Sequence, residues 1–432
     1  MNRKQRALLA GAGALLMAQF VPAVQAEAKQ VTVDAKMLEQ LQQLVMDQQK
    51  QLDKLQQQVD QFQQTAVAAQ TQAQEAKTVA EEVKTSSQAA KTVVSGSERV
   101  KLAVSGQVNR AVNVADDGDQ TDAYFVDNGA SNSRIRFVGT GAMSEDLTLG
   151  TNLEIALAPN LSGDVSQSKQ ESGDFFEERV AELYLQSKQY GKVSLGKGST
   201  PSDGTAEVDL SGTDVIQYAS YADIAGGLLF RESSTNMLTG VKVSNAFNDF
   251  DGLSRKSRLR YDSPLFYGFG VAGSVISDSR WDTALRWSGS GYGFKAGAAA
   301  AVAYVNESNA DYQYDGSLSL LHEETGLNLT FSAGTKDADN GDDPYSIYTK
   351  LGWQTQFCPL GKTSFGLDYG YGENISASGD EGDSFGFAMV QTIAEYGTEL
   401  YFQFRQYSLD RDSMYADVDD INVGTIGARV KF

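Results

Sequence analysis

The sequence predicts an all-β transmembrane antiparallel β-barrel preceded by an N-terminal α-helical coiled coil. Three observations carry this reading. From about residue 99 to the end, apolar and polar residues alternate with period two, in segments whose connectors are long and short in turn. Residues 36–95 carry an apolar repeat of seven instead. No run of about 18 apolar residues occurs, so a membrane can be crossed only by strands.

The first 26 residues read as a secretory signal peptide. Arg3, Lys4 and Arg6 supply a charged start, residues 7–20 an apolar stretch, and Val24-Gln25-Ala26 a small-residue cleavage site. No Cys follows that site, so a lipid anchor there is not expected. Composition then favours a barrel. Mean hydropathy is only −0.34, as befits strands apolar on one face, while Gly (42) and Phe plus Tyr (20 and 19) are abundant. The single Cys358 leaves no internal disulfide. The formal charge of −20 becomes −23 once the three leader cations are removed, which argues against nucleic acid as a partner.

Within residues 27–84, Leu38, Val45, Leu52, Val59, Ala66, Ala73 and Ala80 recur every seven positions. Leu41, Gln48, Leu55, Phe62, Ala69, Ala76 and Val83 follow each by three. These are the two seam positions of a coiled coil, with Gln48 a polar member that sets register at some cost in stability. The competing reading is a single solvated Gln/Ala-rich helix. Residues 85–98 lose the seam, gather Ser and Gly, and read as a linker.

Residues 99–432 form the expected barrel domain. Clean alternation runs over residues 101–113, 132–138, 147–157, 256–261, 280–287, 398–409 and 421–432. Long polar connectors are expected at 115–131, 159–174, 336–344, 371–383 and 410–420, and short turns at 144–146, 188–191, 263–264, 288–291 and 322–326. Counting periodic segments gives 18 strands, or 16 if two short ones near 226–230 and 317–321 fail to span. Both numbers are even, as termini on one side require; 16 is the expected number, with 18 the alternative.

In the last strand, Ile426, Ala428, Val430 and Phe432 alternate with Thr425, Gly427, Arg429 and Lys431. A closing strand with a terminal aromatic resembles the signal by which outer-membrane barrels engage the barrel-assembly machinery. The stretch Gly191-Lys-Val-Ser-Leu-Gly-Lys197-Gly resembles the strand before loop 3 of trimeric porins. Arg258-Leu-Arg260-Tyr-Asp-Ser-Pro264, with Gly268-Phe-Gly270 after it, is similar to a strand–turn–strand of proteobacterial porins. A coiled coil ahead of the barrel resembles the DcaP-like porins. The resemblance implies a homotrimer in the outer membrane of a Gram-negative bacterium, its coiled coil in the periplasm. It also implies loop 3 folded inward near residues 199–226, a pore in each subunit, and small organic anions such as dicarboxylates among the solutes.

Strand parity gives a map of the lumen. Arg134, Arg136, Arg258, Arg260 and Arg286 each alternate with apolar neighbours, as do Lys256, Arg280 and Lys242. A charge facing lipid at mid-membrane costs ~2–4 kcal/mol, so the basic member is expected to face inward. Arg110 breaks the rule by sharing parity with Val108 and Val112. Lys197 breaks it too and needs a bulge to point inward. The expected constriction sets a basic wall of Arg134, Arg136, Lys197, Arg258, Arg260 and Arg286 against the loop 3 acids Asp203, Glu207, Asp209 and Asp214. The competing reading is that the arginines only satisfy interior carboxylates.

The expected function is passive diffusion of small hydrophilic solutes, favouring anions, with no cofactor. Acidic connectors (Asp116, Asp117, Asp119, Asp122; Asp337, Asp339, Asp342, Asp343) keep a cation-preferring porin open as an alternative. Residues 337–342 space their carboxylates like a calcium loop but lack its closing Glu, and no metal site is expected. Lipopolysaccharide and outer-membrane lipid are the expected neighbours. Enzyme activity is not expected: His322 lies alone in a short turn, and Cys358 has nothing cationic nearby. A structural alternative is an envelope tether reaching the cell wall.

Overall fold

The computed structural model describes residues 99–173 and 176–432. The expected signal peptide, coiled coil and linker lie outside the described residues. The alternating segments form β1 (Lys101–Asp116), β2 (Thr121–Asp127), β3 (Arg134–Ala142), β4 (Leu147–Ala156), β5 (Glu177–Ser187), β6 (Gly191–Ser199), β7 (Leu229–Arg231), β8 (Leu238–Lys242) and β9 (Arg255–Asp262). They continue as β10 (Phe269–Ile276), β11 (Trp281–Gly291), β12 (Phe294–Glu307), β13 (Ala310–His322) and β14 (Leu327–Ala338). The last are β15 (Tyr345–Cys358), β16 (Gly361–Glu373), β17 (Glu381–Ile393), β18 (Thr398–Asp410) and β19 (Ile421–Lys431).

Apart from the β7–β8 hairpin, these strands make one antiparallel sheet that closes on itself. β1 pairs with β19 from Gln107 opposite Lys431 to Asp116 opposite Asn422. Closure removes every free sheet edge. Seventeen segments occupy sixteen positions, because β2 pairs with residues 110–116 of β1 and β3 with residues 101–107. Where residues 128–133 interrupt that position, side chains replace the lost ladder. The Asn109 amide N–H donates to Ser133 Oγ at 2.8 Å, Asn109 Nδ2 to the Ser131 carbonyl at 2.8 Å, and Gln107 Nε2 to that of Asn132 at 2.9 Å. The barrel is therefore 16-stranded. Of the two doubtful segments, residues 229–231 belong to the small hairpin, while 317–321 lie inside the full-length strand β13.

The alternation is realised along each strand. Val114, Leu195, Leu259, Leu285, Leu351 and Phe402 point outward and are exposed, while Asn113, Ser194, Arg258, Ala284, Lys350 and Gln403 point inward and are buried. Trp281, Tyr304 and Tyr312 cluster towards one end of the outer face, and Trp353, Phe357 and Phe365 towards the other. Such aromatic girdles mark the two interfaces of a membrane barrel. Turns at the second end are tight. In the two-residue turn between β11 and β12, Tyr292 (φ 53°) and Gly293 (φ 80°) are both left-handed, the conformation that matches strand twist.

Residues 200–254, between β6 and β9, are an insertion longer than the segment 199–226 expected to fold inward. The insertion packs on the inner wall over a wide arc. Ser202 N donates to Asp282 of β11 at 2.9 Å. Val208 N and Leu210 N donate to Ser317 and Ser319 of β13, each at 2.9 Å. Gln403 of β18 and Asn113 of β1 donate to the carbonyls of Ile216 (3.0 Å) and Ile224 (2.7 Å). It also brings an apolar core of its own. Ile216, Tyr221, Phe230 and Phe247 pack with inward-facing Tyr348, Tyr407, Leu409 and Ile421, and Tyr221 stacks on Tyr348 at 5.8 Å. Val241 and Lys242 lie in β8 of this insertion and not in the barrel wall, because the insertion has alternation of its own.

Candidate functional site

The insertion covers the wall from β11 round to β1. The wall of β3, β4, β5, β6 and β9 is left with a cavity of about 330 Å³. Its lining carries six cations, Arg134, Arg136, Lys192, Arg255, Arg258 and Arg260, against three carboxylates, Glu154, Glu182 and Asp262. Strand register assembles it: Arg136 lies opposite Glu154 across β3 and β4, and Arg260 lies opposite Ser194 across β9 and β6.

Two buried carboxylates organise the cations. Glu154 accepts from Arg136 Nε at 2.6 Å and Arg179 Nε at 2.8 Å, with Arg134 at 3.6 Å. Glu182 accepts from Arg258 Nη2 at 2.6 Å and has Lys192 at 3.9 Å. Arg260 binds Asp262 through Nε and Nη2. The arginines also hold the root of the insertion. Arg258 donates to the Ser199 and Gly196 carbonyls, and Arg260 to those of Ser199 and Thr200, at 2.9–3.0 Å. Burial of the side chains differs sharply: Arg258 is 3% exposed, whereas Arg136 is 46% exposed. A group of the second kind is free to meet a solute; one of the first kind is already satisfied.

Four of the six basic residues expected at the constriction, Arg134, Arg136, Arg258 and Arg260, thus meet in one cavity. Arg286 faces inward elsewhere, donating to the carbonyls of Asp203 (2.7 Å), Gly204 (3.1 Å) and Pro201 (3.2 Å). Lys197 does not join them. It shares parity with Leu195 and pairs with Ala181 and Ser257 in ladders without a register shift, so the bulge needed to turn it inward is missing. Arg110 faces outward as its parity states, 3.5 Å from Asp127 and bonded to the Pro159 carbonyl.

The acids expected to oppose the basic wall separate into different roles. Asp209 is consumed by a buried ion pair with Lys350, and Asp203 lies 3.9 Å from Arg255. Asp214 is exposed. Glu207 belongs to a cluster with Asp249 and Asp251, bridged to Asp249 by the Ser220 hydroxyl. Burial, and then the charge of Asp249, push Asp251 up to about 8. Burial lifts Asp223 to about 6, although the Tyr218 hydroxyl hydrogen-bonded to it pulls the other way. Asp223 and Asp249 line a smaller cavity of about 160 Å³ wholly within the insertion.

Sequence reading missed Glu154, Arg179, Glu182, Lys192 and Arg255. Glu154 had a signal, a lone acid between the outward-facing Leu153 and Ile155. Arg179 had none, because a register shift between β4 and β5 beside Glu154 breaks the parity that would have placed it.

A sequence model described as Gram-negative porin matches residues 65–412, more than half of the chain, and the chain belongs to that family. Among solved structures it is similar to an anion-selective porin from Comamonas acidovorans, with 15% identity, a TM-score of 0.53, 77% of this chain and 100% of that one covered. It is also similar to OmpT, an outer-membrane protein of Vibrio cholerae, with 14% identity, a TM-score of 0.52 and coverage of 79% and 100%. The outer-membrane channel DcaP of Acinetobacter baumannii matches with 11% identity, a TM-score of 0.49 and coverage of 78% and 99%. No curated protein matches the chain. The protein is an outer-membrane β-barrel channel, and its family and fold are those of channels and not of enzymes.

Proposed function

We propose that this porin conducts small hydrophilic solutes by passive diffusion and favours small organic anions. The observation that carries the reading is the excess of cations lining the 330 Å³ cavity, six against three carboxylates. A surplus of fixed positive charge in a narrow, partly desolvated passage raises the local anion concentration. The insertion, occupying the opposite side of the lumen, acts as the constricting loop and steers solutes along the arginine wall. The acid cluster of Glu207, Asp223, Asp249 and Asp251 supports the cation-preferring alternative, since full ionisation would offset that surplus.

The homotrimer belongs to the same proposal. Outward-facing Arg110, its side chain 44% exposed, is a costly neighbour for lipid, and a subunit contact would cover it. Lipopolysaccharide, outer-membrane lipid and assembly through the Phe432 signal complete the proposed partners. The coiled coil of residues 27–84 is proposed to trimerise the subunits or space the barrel from the cell wall.

The test is the zero-current potential of the purified protein in a planar bilayer under a KCl gradient. An anion-selective potential is expected. A cation-selective one would hand control to the acid cluster, and no conductance would move the reading to an envelope tether.

A further inference from the structure

We propose that Lys350 and Asp209 are a matched pair whose mutual burial, on the wall that the insertion covers, keeps both charges out of the ion path and so out of the selectivity of the channel. The proposal rests on the reading of the protein as an ion-conducting porin. Lys350 points inward from β15 and its side chain is fully buried, that of Asp209 nearly so (0% and 4% exposed). An ammonium has three donors, and all three are used on the insertion. One meets the Asp209 carboxylate, one Thr213 Oγ1 at 3.1 Å, and one the Gln217 carbonyl at 2.8 Å. The same stretch is also held by uncharged contacts, among them Gln354 Nε2 to the Leu210 carbonyl at 2.6 Å, Leu210 N to Ser319 Oγ at 2.9 Å and, at its far end, Asn128 Nδ2 to the Val215 carbonyl and Gln403 Nε2 to the Ile216 carbonyl, each at 3.0 Å. Asp214, one residue past Thr213, is exposed, so the segment lies at the edge of the water-filled space.

Paired and hidden, the two charges cancel and the lumen feels neither. Removing one partner leaves the other uncompensated in a dry site, which is strongly unfavourable. The segment of residues 209–214, ahead of the core residues Val215 and Ile216, can relieve this by leaving the wall, which brings the surviving charge into water and into the ion path. The sign of the effect then depends on which partner was removed. Lys350→Met releases a carboxylate into the lumen; Asp209→Asn releases an ammonium. A purely structural role would move both variants in the same direction.

The experiment uses the full mature protein in planar bilayers under a KCl gradient, with zero-current potential and single-channel conductance read together. Both single variants should conduct more than the parent. Lys350→Met should lower the anion-to-cation permeability ratio and Asp209→Asn should raise it, each by roughly twofold. The double variant should return to the parental ratio. Ser319→Ala, which cuts the contact to Leu210 N in the same segment without touching a charge, should leave the ratio unchanged. Shifts of the same sign, or no shift in either single variant, would overturn the proposal. If Lys350→Met does not assemble, Asp209→Asn decides alone: a rise supports the assignment and an unchanged ratio overturns it. A parent protein without conductance would instead sink the channel reading itself, so the two failures are distinguishable.

Discussion

Arg136 and Glu154 face each other directly across β3 and β4, joined by a 2.6 Å hydrogen bond, yet only the arginine reaches water. Glu154 is almost fully buried and holds Arg134 and Arg179 as well. One carboxylate thus fixes three guanidiniums while cancelling only one of their charges. Replacing Glu154 by Gln should keep the volume and part of the hydrogen bonding while adding one net positive charge to the cavity. The anion-to-cation permeability ratio should rise, and Arg136→Ala should lower it. Zero-current potentials in KCl gradients check both; equal ratios in all three proteins would mean that this wall does not face the ion path.

Arg258 should behave differently although it sits in the same cavity. Its side chain is nearly inaccessible, and its donors go to Glu182 and to the backbone of β6 just ahead of the insertion. Arg258→Ala strands a buried carboxylate, a change that costs ~3–5 kcal/mol. The expected readout is a lower unfolding temperature in the gel-shift assay of heated barrels, with little change in permeability ratio among molecules that still assemble. A variant as heat-resistant as the parent would show that Glu182 finds another partner.

The contrast shows what a sequence can reveal of such a site. Period-two alternation identifies the barrel and the inward side of β3 and β9, because lipid tolerates only one of the two faces. It therefore found Arg134, Arg136, Arg258 and Arg260. It gives no account of who pairs with whom: exposed Arg136 and buried Arg258 look alike in sequence, and their difference arises from the insertion root that covers Arg258. Nor can parity read residues at strand ends or beside register shifts, which hid Arg255 and Arg179. In sequence only residues 199–226 read as an acidic inward loop, with 226–230 and Lys242 as candidate wall, because the buried core of the insertion is shared with inward-facing residues far away in sequence, such as Tyr348, Tyr407 and Ile421. Asp209 has the sequence pattern of a constriction acid, because its partner Lys350 comes from the distant strand β15.

The β7–β8 hairpin is tied to the connectors opposite the tight turns, and the tie is electrostatic. Arg231 meets Asp117 at 2.7 Å and Asp119 at 3.7 Å, and Asn236 reaches Asp119 at 3.2 Å. Burial works to raise the Asp117 carboxyl. The Arg231 bond, the Gln120 and Asp119 backbone donors and the Gln167 side chain outweigh it and hold Asp117 below its ordinary value. A depressed acid stabilises the latch above its unfolded value of about 3.9, and that contribution is lost as pH falls through the folded one. Asp117→Asn should therefore expose residues 232–237 to protease at neutral pH, while the parent stays resistant from pH 7 down to about 4. Equal cleavage of both proteins would place the hold on the hairpin elsewhere.

The acids of the insertion have the opposite sign. Asp251 is raised to about 8 by burial and by Asp249, and Asp223 to about 6 by burial and by Asp249 against the pull of Tyr218. For a raised acid, stabilisation of the folded arrangement is full below the unfolded value of about 3.9 and disappears as pH rises through the folded value. Between pH 5 and 9 both groups should pass from largely protonated to ionised, beside Glu207 and Asp249. The two added negative charges offset most of the cation surplus on the facing wall, so anion selectivity should fall steadily across that interval. Ionised Asp251 sits among other carboxylates while still accepting from Gly204 N and Ala206 N, so current noise from a looser insertion should grow towards pH 9. Asp251→Asn keeps a neutral side chain at every pH and should remove the upper part of the titration, above about pH 7. Zero-current potentials at pH 5, 7 and 9 for parent and variant check the assignment, and an identical pH response in the two would exclude Asp251 as the titrating group.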